Sequence, residues 1–260
     1  MATVRQIYEY IDSFAPFSYQ ESWDNSGILV GGGGEEVKRA LLTLDISREA
    51  AEEAKSLGCE LVITHHPVIF TPLKALRQDN PACMLLRMGI ACISAHTNLD
   101  CADYGISSMI CSALGLSPCR EVLIPTGKLH PCGRSVGFGE IGAAQSITPE
   151  ELIDRCKRSF NSVCIKFVRG ERRISRVGIL SGAGGEGVEL ALEHGLDAVV
   201  TSEIKQHQLV MARDIGITAV DIGHYESEAI AMPWLRDRLL EGFSDTEFIL
   251  TKTRFPAESC

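Results

Sequence analysis

Leu61-Val62-Ile63-Thr64-His65-His66-Pro67 is a short apolar run that stops on two imidazoles and a proline. Its length and unbroken apolar character suit a strand covered by helices on both faces of a sheet. Pro67 lacks the N–H needed to carry the pairing further. The same grammar recurs outward from this stretch. Ile90-Ala91-Cys92-Ile93-Ser94-Ala95 runs into His96-Thr97-Asn98-Leu99-Asp100. Ile217-Thr218-Ala219-Val220-Asp221-Ile222-Gly223 runs into His224-Tyr225-Glu226-Ser227-Glu228. Helical patterns separate the apolar runs, which predicts an α/β fold.

Helices are expected near 3–14, 47–57, 80–88, 103–115, 149–160, 186–194, 205–215 and 225–241. Strands are expected near 27–31, 39–44, 61–64, 90–95, 120–124, 134–140, 163–168, 175–180, 198–201, 217–222 and 246–251. Thr148-Pro149-Glu150-Glu151 is a capping box with proline in the first turn, a strong helix start.

An internal repeat is visible at an offset of 137 residues. Ala40-Leu41-Leu42-Thr43-Leu44 aligns with Val177-Gly178-Ile179-Leu180-Ser181, and Val62-Ile63-Thr64 aligns with Val199-Val200-Thr201. Gly58 meets Gly195 and Glu60 meets Asp197 at the same offset. After a shift of about ten residues, the run into His96 matches the run into His224. Two βαβ units can look alike by chance over such a window, but the glycine, acid and threonine all match without a gap. The expectation is two similar α/β lobes related by duplication, with a metal site at their interface. The first lobe is 1–128, with the strand 246–251 able to join it, and the second is 129–245. The join is placed among Pro125, Gly127, Pro131 and Gly133.

Composition narrows the class. The chain has 260 residues, 45% of them apolar and 23% charged, ordinary values for a globular protein. No apolar run approaches the ~18 residues of a membrane span. Met1-Ala2-Thr3-Val4-Arg5-Gln6-Ile7 reads as the start of an amphipathic helix rather than a signal peptide, so a cytoplasmic protein is expected. The ten cysteines are scattered without a Cys-x-x-Cys pair and are read as small buried hydrophobes. A formal charge of −9 argues against long nucleic acids, which require clustered Lys and Arg. It does not exclude a small phosphorylated substrate.

Four of the seven histidines, His65, His66, His96 and His224, close apolar runs. The carboxyl ends of strands in an α/β sheet face a shared crevice. Two histidines, His-x-x-x-Asp and His-x-x-x-Glu therefore amount to a mixed N/O donor set large enough for two divalent ions. Glu228 lies four residues after His224, on the same face of a helical turn. Asp100 doubles as a candidate helix cap, and Glu228 as a carboxylate favoured by a helix N-terminus. Zn, Fe, Mn and Co all suit such a set. His96, Glu203 and His207 are the candidate catalytic residues, placed to move protons or hydrogen-bond substrate, or else to support the ligands.

A rival signal is Gly182-Ala183-Gly184-Gly185-Glu186-Gly187, a G-x-G-x-x-G run with Glu203 about twenty residues on. It fits a dinucleotide site but explains none of the histidines. A milder alternative is a loop that approaches a substrate phosphate, with Lys205 nearby.

Trp23-Asp24-Asn25-Ser26-Gly27, Thr64-His65-His66-Pro67, Ala95-His96-Thr97-Asn98-Leu99-Asp100, the glycine run and Gly223-His224-Tyr225-Glu226-Ser227-Glu228 together resemble the Nif-three-like family, also known as GTP cyclohydrolase I type 2 homologues. The motifs span residues 23–228 in the family's order. The resemblance implies a two-lobed α/β fold, two divalent ions per chain and a toroidal homohexamer. It places the metal ligands on His65, His66, Asp100, His224 and Glu228, with Glu228 bridging. Where the family often shows Thr-Gly-Glu/Asp followed by a histidine pair, this chain has Thr201-Ser202-Glu203-Ile204-Lys205-Gln206-His207. The chain also lacks the large middle domain of some relatives.

The activity so implied is hydrolysis of GTP to dihydroneopterin triphosphate and formate by a metal-activated water. The alternatives are a metal-dependent phosphoesterase or nucleotidase, and a non-catalytic metal-containing hexameric binding protein. The expected partners are further copies of the chain and a small-molecule substrate, a nucleotide in the leading case, with no membrane.

Overall fold

A computed structural model describes residues 2–160 and 165–253. The chain folds as two α/β units. Residues 2–102 and 231–253 form the first, and Asp103–Ile230 form the second. The chain therefore passes between units at 102/103 and 230/231, not at the Pro/Gly cluster of 125–133. That cluster instead shapes a hairpin inside the second unit, Ile124–Leu129 against Ser135–Phe138.

The first unit is built on a five-stranded sheet. Glu247–Leu250, Arg39–Thr43, Leu61–Thr64 and Ala91–Ser94 run parallel in that order, with Gly27–Val30 antiparallel at the edge. The strand read at 246–251 thus joins the first unit. Leu61, Val62, Ile63 and Thr64 are all buried, which accounts for the unbroken apolar run. The crossover helix Arg48–Ser56 is capped by Ser47, whose hydroxyl accepts from the Ala50 amide. The next crossover helix, Pro81–Met88, starts on Asn80 with proline in its first turn and stops at left-handed Gly89. Because these four strands run parallel, their carboxyl ends share one edge. That edge carries Asp45, His65, His66 and His96.

The second unit has a six-stranded sheet. Its centre is the parallel trio Ile174–Ile179, Ala198–Thr201 and Thr218–Asp221. Lys166–Val168 flanks one side antiparallel, and Glu140–Ile147 followed by Ser117–Pro118 flank the other. The strand expected at 163–168 begins in residues outside those described, and its described part is Lys166–Val168. The pairing Ala40↔Leu61 in the first unit and Val177↔Ala198 in the second share a register at the offset of 137.

Two expected helices differ. The 186–194 pattern yields only Gly187–Leu190. The 225–241 pattern breaks into His224–Glu228 and Ala231–Gly242. Pro233 explains the second break: it has no N–H to donate, and its ring clashes with the carbonyl four residues back. The strand expected over 120–124 starts only at Ile124 and runs on to Leu129. The eight-residue strand Glu140–Ile147 stands where only the end of a run was expected.

Cys59, Cys92, Cys111 and Cys156 are buried, and burial pushes the Cys92 and Cys156 thiols up to about 12. They pack as small hydrophobes. Cys132 is exposed, and Cys164 and Cys260 lie outside the described residues. No helix among the described residues is long and apolar enough to cross a membrane.

Candidate metal centre

In the first unit the parallel edge gathers three imidazoles. The ring centroids of His65 and His66 are 5.0 Å apart, those of His65 and His96 5.1 Å, and those of His66 and His96 5.6 Å. One nitrogen from each ring lies within 4.8 Å of the others, a group able to hold a metal ion. Asp100 joins from the short helix Thr97–Asp100, its Oδ2 3.9 Å from His65 Nε2.

What holds these rings is as informative as where they sit. His65 Nδ1 lies 2.8 Å from the Ala95 carbonyl, His66 Nδ1 2.7 Å from Asp45 Oδ1, and His96 Nδ1 2.7 Å from Asp24 Oδ1. A carbonyl or carboxylate oxygen only accepts, so each Nδ1 must carry the proton. With Nδ1 so occupied, each ring presents its Nε2, the arrangement that orients a histidine for a metal.

Asp24 is central to this order. Its carboxylate accepts from Ser26 Oγ (2.8 Å) and from the Thr97 hydroxyl (2.5 Å) and amide (3.1 Å), besides His96. Burial alone would raise its pKa. The hydrogen bonds from His96 and Thr97, the His96 charge and the Ser26 bond outweigh burial and hold it well below the usual carboxylate range. Asp24 therefore stays ionised.

In the second unit His224 and Glu228 occupy one face of a five-residue helix, with His224 Nε2 3.1 Å from Glu228 Oε2. His224 Nδ1 is 2.7 Å from Glu203 Oε1, so the neutral ring turns the Nε2 lone pair toward a carboxylate oxygen. Two lone pairs at that distance repel unless a proton or a cation lies between them. Glu228 is buried, which sharpens the requirement.

The glycine run packs against this pair. A Cβ on Gly182, whose φ is +59°, would stand 2.5 Å from Glu228 Oε1 and 3.3 Å from His224 Nε2. Gly182 thus lets the backbone approach the donors where any side chain would fill the space. The other glycines admit the protein's own side chains. Gly184 faces Leu180 and Thr201, Gly185 faces Gln208, and Gly187 faces Leu180. The helix that follows has four residues, and Glu203 is committed to His224. The pieces of a dinucleotide fingerprint are employed in internal packing.

Ser202 is buried, and its hydroxyl donates to Ser227 Oγ at 3.3 Å. Ser227 Oγ in turn accepts from the Gly182 amide and donates to the His224 carbonyl. Ser202 is thereby linked to the helix that carries His224 and Glu228. His207 lies elsewhere: it is exposed on the helix Gln206–Asp214, 3.9 Å from Glu189. Glu203 contacts a donor ring, whereas His207 belongs to none of the metal-capable groups among the described residues.

Asp45 and Asp24 as ring-orienting acceptors are absent from the sequence-based list of site residues. A signal was available, because Asp45 follows the end of a parallel strand by two residues, as His65 and His66 follow theirs directly. If Glu203 orients His224, Glu203→Gln should weaken metal binding by ~10–100-fold without unfolding the chain, as read by competition with a chelator. An unchanged affinity would remove Glu203 from the site.

The Duf34/NIF3 (NGG1p interacting factor 3) profile matches residues 2–256, and the chain belongs to that family. A Campylobacter jejuni protein named GTP cyclohydrolase 1 type 2 homolog is 33% identical over 231 residues, 86% of each chain. A Clostridium perfringens protein of the same name is 27% identical over 96% of each chain. The crystal structure of Staphylococcus aureus hypothetical protein SA1388 superimposes with a TM-score of 0.86 at 25% identity, covering 99% of both chains.

Proposed function

We propose that the protein is a dinuclear divalent-metal hydrolase that acts on a nucleotide, with GTP cyclohydrolysis as the leading reaction. In that reaction one water is consumed, the guanine C8 leaves as formate, and dihydroneopterin triphosphate remains. The observation that carries the metal assignment is the common orientation of His65, His66 and His224, each with Nδ1 tied to an oxygen acceptor and Nε2 set to ligate. The names of the Campylobacter and Clostridium relatives support the choice of reaction.

His65, His66, Asp100, His224 and Glu228 would hold two ions, drawn from Zn, Fe, Mn or Co. When bound, such ions supply Lewis acidity and a water that ionises near neutral pH. The chain's own proton carrier is His96. Its Nε2 accepts a proton, and the ionised Asp24 at Nδ1 stabilises the imidazolium that results. Glu203 acts as a positioning residue on His224. The homohexamer implied by the family resemblance belongs to this proposal, and sedimentation velocity reads it directly.

Loading the protein with Zn, Mn or Fe to two ions per chain and assaying GTP tests the reaction. Formate and a fluorescent pterin should appear together in equal amounts. No turnover at full loading would reject GTP cyclohydrolysis and direct the search to phosphoester substrates.

A further inference from the structure

Large aromatic side chains seldom stay exposed without a reason, and two of them stand beside the first-unit histidines. Trp23 is 58% exposed and Phe70 49%. Their ring centroids are 6.2 Å apart at 69°. Both also face the imidazole of His96, Trp23 at 6.4 Å and 77° and Phe70 at 6.0 Å and 84°. Three rings at steep mutual angles form an open corner, and its inner wall is the imidazole assigned above as proton carrier.

The corner is rigid at its base. Asp24, next to Trp23, holds His96, Thr97 and Ser26 through its carboxylate. The Glu21 amide donates to Thr97 Oγ1 at 3.1 Å, fixing the other side of Trp23. Asn25 Nδ2 donates to the Ile69 carbonyl at 2.6 Å and so ties the Trp23 loop to the residue before Phe70. Two exposed rings are thus carried on backbone pinned by hydrogen bonds. Such preorganisation removes much of the entropic cost of binding.

From this corner we infer a binding site for the planar heteroaromatic base of a nucleotide, stacked on Trp23 or Phe70 with its edge toward His96. A flat ring parallel to one wall meets the others edge-on, the two arrangements that aromatic quadrupoles favour. The corner is open to solvent on one side. A nucleobase can leave its polar edge there in water, whereas a wholly apolar ring would gain more from an enclosed pocket. The inference rests on the nucleotide reading above and assigns Trp23 and Phe70 to base recognition, separate from the metal donors.

The test uses the metal-loaded protein and guanosine 5′-monophosphate as probe, with ribose 5-phosphate as the base-free control. The chain has two tryptophans, so Trp234→Phe leaves Trp23 as the reporter. The monophosphate should quench Trp23 fluorescence and the control should not. Trp23→Ala should weaken binding of the monophosphate by about tenfold or more, while Trp23→Phe retains most of it. Phe70→Ala supplies a second variant should Trp23→Ala fail to fold, and metal content should stay at the wild-type value in each. Equal binding of ribose 5-phosphate, or unchanged affinity in both alanine variants, would overturn the site. Trp23-dependent binding without GTP turnover would reject the cyclohydrolase and leave the base site standing. GTP turnover with an unaltered KM in Trp23→Ala would do the reverse.

Discussion

Glu228→Ala should lower the metal content from two ions per chain to one or fewer and abolish hydrolysis. Glu228 is buried, lies 3.1 Å from His224 Nε2, and is one of the five residues that would hold the ions in the proposed centre. Loss of an orienting partner costs ~10–100-fold in metal affinity, and loss of a ligand itself should exceed that range. The fold should survive, because removing this carboxylate also removes a buried charge that needs a cation nearby. Metal analysis after dialysis, paired with circular dichroism, reads both effects. Two tightly held ions in folded Glu228→Ala protein would take Glu228 out of the centre.

Gly182→Ala should be nearly as damaging, although glycine ligates nothing. The added methyl would stand 2.5 Å from Glu228 Oε1, closer than real Cβ contacts allow, in a left-handed backbone that alanine rarely adopts. The backbone conformation alone costs ~1–2 kcal/mol. The methyl must then displace the Glu228 carboxylate or the loop. Metal-free protein should therefore melt modestly lower than wild type, and the stabilisation normally gained on adding metal should largely vanish. The paired comparison separates a strained loop from a lost site. A full metal-induced rise in Tm would show that the donors do not need the space beside Gly182.

Much of the architecture was legible because the parallel strands are buried on both faces. Leu61–Thr64 and Ala198–Thr201 match their apolar runs residue for residue. The capping box at Thr148 likewise marks the start of its helix. Glu140–Ile147 escaped because Gly142, Ala143, Ala144, Gln145 and Ser146 are poor strand formers, and its register shifts after Ala143. Its place is set by pairing with Ile174–Ile179, a tertiary partner that local pattern does not reveal. The Pro/Gly cluster near 125–133 resembles a linker in sequence, yet its turn residues close a hairpin.

The donor residues were legible for a related reason: an imidazole after an apolar run has few structural uses. Their supports were harder to see. Asp45 reaches His66 from a neighbouring strand, and Asp24 reaches His96 across a gap of 72 residues. Local spacing does not announce the Asp24 pair, and Asp45 is hinted at only by its place just past a parallel strand. For Glu203 the sequence leaves proton transfer, substrate binding and support of a ligand open, and its contact with His224 Nδ1 favours the last. His207, a candidate catalytic residue in the sequence, is carried by its helix to an exposed position beside Glu189.

The most direct measurement is the number of divalent ions bound per folded chain after metal loading and exhaustive dialysis, in wild type and in His65→Ala. Two ions in the wild type and a loss of at least one in the variant are expected. A wild-type chain that retains no ion, at full folding and across Zn, Mn, Fe and Co, would contradict the dinuclear centre and the hydrolase built on it.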